Sequence, residues 1–141
     1  MTEANLFQPY EVIVTKFLPT FRARLAQILT QDFQMTQTEI ARHLGISQAA
    51  ISHYKTGCRG GDEVLLDQFP EIDTYVHRVA KAIAAGAPRP KVIGMLLEFS
   101  RELMTTERFC EYHKRLAPLE GCTICFEPYS NQGLAKPQFT Q

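Results

Sequence analysis

Four potential metal ligands lie within sixteen residues near the end of the printed sequence. Cys110 and His113 are separated by two residues, and so are Cys122 and Cys125. A two-residue spacer lets both side chains of a pair reach one ion, and the second pair completes a set of four donors. This stretch has no helical period, and Gly121 suits a tight knuckle, so we expect a loop. The sequence therefore predicts a metal site there.

The identity of the metal stays open at this stage. Three cysteines and one histidine at these spacings suit tetrahedral zinc. An iron–sulfur cluster usually takes four cysteines, although histidine replaces some of them in certain clusters. The chain has four cysteines in all, and in a reducing compartment they are expected to be free, catalytic or metal-bound rather than paired in disulfides.

A second group of residues, from Met35 to Gly57, predicts two short helices joined by a tight turn. Thr36 followed by Glu39 three residues later is the capping-box arrangement at a helix start. Gly45 suits the left-handed conformation that ends the first helix, and Ser47 is an N-cap for the second. Apolar residues at Ile40, Ala41, Leu44, Ile46 and Ile51 are expected to fix the angle between the two helices.

The outward face of the second helix carries short or flexible hydrogen-bonding side chains. A DNA major groove accommodates an α-helix of this kind and is read by such groups. We therefore interpret this segment as a helix-turn-helix that binds DNA. The expected DNA contacts are Gln37, Ser47, Gln48, Ala49, Ser52, His53, Lys55 and Arg59.

The segment TQTEIARHLGISQAAISHYKTG resembles the helix-turn-helix of the Cro/phage-repressor class. In that class one glutamine opens the first helix of the motif and another lies at the start of the recognition helix. Gln37 and Gln48 occupy those places. The resemblance implies that Gln37 braces Gln48 and contacts a phosphate, while Gln48 reads a base edge, often adenine.

A longer resemblance covers most of residues 12–126. A group of mostly archaeal helix-turn-helix regulators shares an LP-x2-R helix, the motif above, a Gly-rich loop and a C-terminal C-E-x-H-K…C-x-I-C segment. Here these stretches begin at Leu18, Thr36, Cys58 and Cys110. The resemblance implies a transcriptional regulator whose cysteine-rich end holds an iron–sulfur cluster, [4Fe–4S] or [2Fe–2S], or another metal.

This chain departs from that group at one place. The relatives commonly carry further cysteines before the CExH segment, where this chain has Leu97-Glu-Phe-Ser100. A four-thiolate cluster would therefore need Cys58 as its fourth ligand, beside Cys110, Cys122 and Cys125. With zinc, His113 is the competing fourth donor, and Cys58 is then a loop residue without a role.

The elements that must position these residues are helical in the sequence pattern. Apolar residues recur at helical spacing over 19–32, 70–85 and 91–105. We therefore divide the chain into five regions. The first three are an N-terminal arm over 1–18, which is extended or a strand, a helix-turn-helix core over 19–61, and a helical dimerisation and linker region over 62–109. A cysteine-rich segment over 110–126 and a flexible tail over 127–141 follow. The predicted fold is all-α, a phage-repressor-like helix-turn-helix bundle with additional helices and a small cysteine-rich element.

Charge and composition narrow the classes of function. The net charge of the 141 residues is zero, but residues 19–61 carry five basic and two acidic side chains. A locally basic DNA-binding part is therefore compatible with the neutral whole. With 45% hydrophobic residues the chain can bury a core.

Other classes lack support in the sequence. No signal peptide or membrane span is recognisable, so a cytoplasmic location is expected. No catalytic constellation stands out, and an enzyme is not expected. The preferred function is a transcriptional regulator that responds to redox state or metal through a C-terminal iron–sulfur cluster and acts as a homodimer on a palindromic DNA operator. The alternative is a helix-turn-helix module that binds another protein and carries a structural zinc site.

Overall fold

A computed structural model describes residues 8–56, 62–116 and 121–122, and the regular structure within these ranges is entirely helical. The all-α prediction is confirmed for these residues. None of the described helices is both long and apolar enough to cross a membrane. The elements are α1 (Pro9–Val12), a π-helical turn (Ile13–Phe17, the π turn), α2 (Leu18–Gln31), α3 (Gln37–Leu44), α4 (Gln48–Thr56), α5 (Glu63–Gln68), α6 (Glu71–Ala84), α7 (Arg89–Met104) and α8 (Glu107–Leu116).

The N-terminal residues were expected to be extended, and for 9–17 this prediction is wrong. Pro9 lies in the first turn of α1, and Glu11 accepts a hydrogen bond from the backbone N–H of Gln8 at 2.6 Å. Val12 and Phe17 are fully buried. These residues are therefore helical and form part of the core. Residues 1–7 lie outside the described ranges.

The π turn has a cause in the sequence. Proline has no N–H to donate and its ring clashes with the carbonyl four residues earlier in a regular α-helix. Pro19 stands just after the π turn, so that carbonyl belongs to Thr15. A π turn moves the pairing one residue further along, as in the bond from the Leu18 N–H to the Ile13 oxygen. The helix therefore passes Pro19 without breaking.

Helix α2 is the centre of the bundle and packs against α3, α4 and α6. Its buried side chains follow the helical spacing seen in the sequence. Arg24 ties it to α6 through an ion pair with Asp73, with 2.6 Å between Nε and Oδ1. The predicted helices 19–32, 70–85 and 91–105 are all present. The last begins two residues early, because Pro90 is tolerated within a first helical turn.

Helix α7 is joined to α6 by a partly buried hydrogen bond. The Tyr75 hydroxyl donates to Oε1 of Glu102 at 2.6 Å, and Tyr75 is 7% exposed. Burial, reinforced by the hydrogen bond to Glu102, raises the pKa of Tyr75 to about 12. The phenol therefore stays protonated in the folded protein at ordinary pH and continues to donate this bond.

Helix α8 corrects the prediction of a loop at Cys110. Phe109 and His113 are buried, and Tyr112 and Leu116 pack against the core, so the apolar positions recur every three to four residues. The Phe109 ring lies 5.5 Å from that of Phe17. The start is defined by Thr106, whose hydroxyl accepts from the Phe109 N–H at 3.2 Å. The cysteine-rich segment therefore begins on a helix that is anchored in the core.

Candidate nucleic-acid interface and cysteine site

The start of α3 has the predicted capping box. The Thr36 hydroxyl oxygen accepts from the Glu39 N–H at 3.1 Å, and Oε1 of Glu39 accepts from the Thr36 N–H at 2.9 Å. The hydrogen bond from the Thr36 backbone lowers the pKa of Glu39. The carboxylate is therefore ionised near neutral pH and keeps both ends of the box closed.

The turn between α3 and α4 spans three residues. Gly45 has φ +69° and ψ +30°, the left-handed conformation, and its N–H donates to the Ala41 oxygen. The Ile46 N–H donates to the same oxygen at 3.1 Å. Ser47 then caps α4, since its hydroxyl oxygen accepts from the Ala50 N–H at 3.1 Å. The predicted glycine turn and serine cap are both confirmed.

Apolar anchors hold the two helices on α2. Ile40 and Ile51 are fully buried, and Ala41 is 8% exposed. Leu44 and Ile46 are partly buried against the same core. Because Ile51 faces inward, Ser52 and His53 on the opposite side of α4 are exposed, and Ala50 is half-buried. The predicted internal and external faces of α4 are thus those of the structure over residues 48–53.

Five of the predicted contact residues form one exposed surface, which we call the α4 face: Ser47, Gln48, Ala49, Ser52 and His53. Lys55 lies on α4, but its side chain is outside the described set, and Arg59 lies outside the described residues. The expected brace between Gln37 and Gln48 differs in detail. Nε2 of Gln48 donates to the hydroxyl of Thr38, the neighbour of the half-buried Gln37.

One supporting contact could not be identified from the sequence pattern. Nη2 of Arg89, the first residue of α7, donates to the backbone oxygen of Arg42 at 2.7 Å. Carbonyls in the last turn of a helix lack helical partners, and a guanidinium satisfies such a group well. Arg89 therefore fixes the end of α3 to α7. In the sequence, an arginine between two prolines indicates only a stiff connector.

The described part of the cysteine site consists of three residues. Cys110 is half-buried on α8, and His113 is buried one turn further along the same helix. The His113 ring stacks on Phe109, with 6.4 Å between centroids. Cys122 is half-buried and follows Gly121, which has φ +73°.

The surroundings of Cys110 shift the equilibrium between its thiol and thiolate forms. Burial raises the pKa of the Cys110 thiol, Lys114 opposes that shift, and a thiolate at Cys122 adds to it. Among the described residues no three potential ligands converge closely enough to hold a metal ion. Cys58 and Cys125 lie outside the described residues, so the predicted ligands can be located only for Cys110, His113 and Cys122.

The candidate functional residues therefore lie at two places, the α4 face and the thiols on and near α8. A capped pair of helices with an exposed polar face can bind in the groove of a nucleic-acid duplex. Half-buried thiols can bind a soft or borderline metal ion once they lose their protons. Comparisons of the chain with protein-family models, with curated proteins and with solved structures found no match.

Proposed function

We propose that this chain is a sequence-specific DNA-binding transcriptional regulator. In this proposal α3 and α4 form a helix-turn-helix of the Cro/phage-repressor kind, with α4 as the recognition helix. The observation that carries it is the α4 face, where polar and small side chains stand exposed around the fully buried Ile51. A recognition helix needs that combination, since its inner side must be fixed while its outer side meets base edges.

The polar groups of the α4 face suit base readout. Thr38 accepts one N–H of the Gln48 amide, which orients the side chain. The amide oxygen and the second N–H are then free to pair with a base, and a glutamine amide matches N6 and N7 of adenine. Gln48 thus reads sequence in this proposal, while Ser47 and Gln37 lie where the phosphate backbone would pass.

The basic side chains would supply the sequence-independent part of the affinity. Residues 19–61 carry a local excess of positive charge although the whole chain is neutral. Lys55 and Arg59 would contact phosphates in this arrangement. Each phosphate neutralised releases counterions, so duplex affinity would fall as salt rises.

Assembly as a homodimer on a palindromic operator completes the DNA-binding proposal. One recognition helix reads few base pairs, and two of them about 34 Å apart read two half-sites. Ile93 and Leu97 lie one turn apart on α7 and are 62% and 47% exposed. An exposed apolar pair of this kind on a helix supports a contact between two copies.

The thiols near α8 would make the regulator responsive to metal or redox state. Cys110, Cys122 and Cys125 would hold an iron–sulfur cluster with Cys58, or zinc with His113. The donor chemistry suits either group, because thiols and imidazole are the ligands that both use, and Cys110 and Cys122 are half-buried. Phe109, the neighbour of Cys110, packs against Phe17 in the core. Loss of the metal would therefore change how α8 packs against the other helices.

The alternative function keeps the same fold with a different partner. The position of His113, one helical turn after Cys110, suits a structural zinc site. With zinc as a permanent support, the α4 face could bind another protein instead of DNA. Salt-dependent binding to a defined DNA duplex separates the two functions.

The test is selection of duplexes from a random library, followed by affinity measurements over a range of salt concentrations. We expect a defined sequence to be enriched and its affinity to fall with salt. Gln48→Ala should weaken binding by about 1–3 kcal/mol and relax preference at one base pair. Gln68→Ala is the matched control, since Gln68 is an exposed glutamine on α5.

The contrary result is equally concrete. If no sequence is enriched, or if Gln48→Ala and Gln68→Ala bind the selected duplex equally well, α4 is not a recognition helix. A protein partner would then be the better reading of the α4 face.

A further inference from the structure

A groove lies beside the turn that connects α3 and α4. It has a volume of about 260 Å³ and is bounded by α2, by the end of α3 and by the start of α7. Its floor is apolar and is formed by Leu25, Ile83, Val92 and Leu96. This volume is close to the lower end of the range for small-molecule pockets, about 300–1,000 Å³. A small organic molecule, rather than a peptide, fits a space of this size.

The rim of the groove is basic. Arg22, His43 and Arg89 line it, and none of the lining residues is acidic. Within the described residues Arg22 has no ion-pair or hydrogen-bond partner. Arg89 uses one nitrogen to hold the Arg42 carbonyl and has further N–H donors to offer. The groove therefore carries positive charge that no acidic lining residue neutralises.

We propose that this groove binds a small amphipathic carboxylic acid. The apolar body would lie on the floor between α2 and α7, and the carboxylate would face Arg22 and Arg89. Guanidinium groups bind carboxylates through two parallel hydrogen bonds, which gives orientation as well as affinity. Small-molecule sites in proteins share this combination of an apolar pocket and a few placed polar groups.

A ligand in the groove would lie against the turn between α3 and α4. His43, Leu44 and Gly45 form one wall, and Arg89 ties the end of α3 to α7. A carboxylate bound to the remaining N–H donors of Arg89 would be held by the same guanidinium that holds the Arg42 carbonyl. The acid would therefore alter the support of α3 and, with it, the presentation of α4. This consequence rests on the proposed DNA binding, whereas occupancy of the groove does not.

The test of occupancy is an amide NMR titration of the full chain with phenylacetate, without DNA. We expect saturable shifts at Gly45 and Ala87, both of which line the groove. Two analogues separate the contributions: 2-phenylethanol keeps the body without the charge, and acetate keeps the charge without the body. Each should bind at least tenfold more weakly than phenylacetate.

Variants of the rim supply the second arm. Arg22→Gln and Arg89→Gln should each lower the affinity for phenylacetate about tenfold or more, because a charge-assisted hydrogen bond is lost. Arg101→Gln is the matched control, since Arg101 is an exposed arginine of α7 that does not line the groove. Arg22→Gln leaves the Arg42 contact intact, so it remains informative if the Arg89 variant is misfolded.

Three results would overturn the proposal. Equal affinity for phenylacetate and 2-phenylethanol would remove the role of the arginines, and so would an equal loss in Arg101→Gln. Ile93 lines the groove and also belongs to the proposed contact between copies, so shifts at Gly45 that depend on protein concentration and that phenylacetate does not change would assign the groove to a second copy of the chain. Duplex affinity is measured separately, so a chain that binds phenylacetate but no DNA would retain this site and lose the proposed function.

Discussion

At the scale of single residues, the cysteine site depends on protons. Burial raises the pKa of Cys110, so this thiol is protonated at neutral pH until a metal takes the place of the proton. We expect Cys110→Ser, Cys122→Ser and Cys125→Ser each to lose the bound metal, because three donors around an open site bind far more weakly. Metal content after anaerobic purification measures this. Full retention in the Cys122 and Cys125 variants would contradict a site at α8.

The fourth donor distinguishes the two chemistries. With an iron–sulfur cluster, Cys58→Ser should bleach or destabilise the cluster, and His113→Ala should leave the visible absorption in place. With zinc the order reverses, and the protein is colourless. His113 is 6% exposed, so its variant needs a circular dichroism control for folding. Loss of metal from a folded His113→Ala chain, with Cys58→Ser unaffected, would exclude a four-thiolate cluster.

The Tyr75 hydroxyl gives a prediction about stability at alkaline pH. Its pKa is raised from 10.0 to about 12 in the folded protein, so its contribution is complete below about pH 10 and is lost as the pH rises through about 12. Tyr75→Phe should lower the free energy of unfolding by about 1 kcal/mol at pH 7, because one hydrogen bond to a carboxylate disappears.

Urea denaturation at pH 7 and pH 11 checks both parts. The difference between the parent and Tyr75→Phe should shrink at the higher pH. Tyr10→Phe is the control, since Tyr10 is 63% exposed. An unchanged difference between parent and variant at the two pH values would mean that the hydroxyl does not carry the alkaline sensitivity.

At the scale of elements, the same substitution by alanine should change the stability of the fold in opposite directions at two glycines. A methyl group at Gly45 or at Gly94 would meet no atom within 4 Å. Gly45 has φ +69°, so Gly45→Ala should destabilise the fold by about 1–2 kcal/mol. Gly94 lies inside α7, where Gly94→Ala should stabilise by about 0.5–1 kcal/mol. Unfolding midpoints measure both, and equal signs would refute the left-handed turn.

The helices that sequence reasoning identified are those with explicit ends and a single apolar stripe. Thr36, Gly45 and Ser47 marked the ends of α3 and the start of α4, and the structure has them there. These signals are local, since each depends on a side chain and a backbone group a few residues away. For that reason they could be interpreted without knowledge of the rest of the fold.

Helix α8 and the N-terminal helix escaped the same reasoning. Cysteines and a glycine at metal-ligand spacings drew attention away from Phe109, Tyr112 and Leu116, whose spacing is helical. At the N-terminus the π turn shifts the apolar stripe, so that Val12 and Phe17 stand five residues apart. The Arg89 contact and the groove join residues far apart in the chain, and no local pattern encodes them.

At the scale of the whole molecule, the exposed apolar residues Ile93 and Leu97 on α7 give a prediction about assembly. In the proposed homodimer, Leu97→Glu would bury a carboxylate in the contact between copies and should shift the assembly to monomers. Sedimentation equilibrium at micromolar concentration measures this. Val64→Glu is the control, because Val64 is equally apolar and 64% exposed but lies on α5. A monomeric parent protein would exclude the dimer.

The π turn has a consequence for chains of slightly different length. A π turn holds one residue more than the α-helical path it replaces, so it acts as an insertion that the fold has absorbed. Removing the exposed Lys16 would restore regular winding and keep α1 and α2 facing the same neighbours, provided that Pro19 is replaced by alanine. The deletion and the substitution are therefore coupled, because the deletion alone would leave Pro19 inside a regular α-helix, where its ring clashes with the carbonyl four residues earlier.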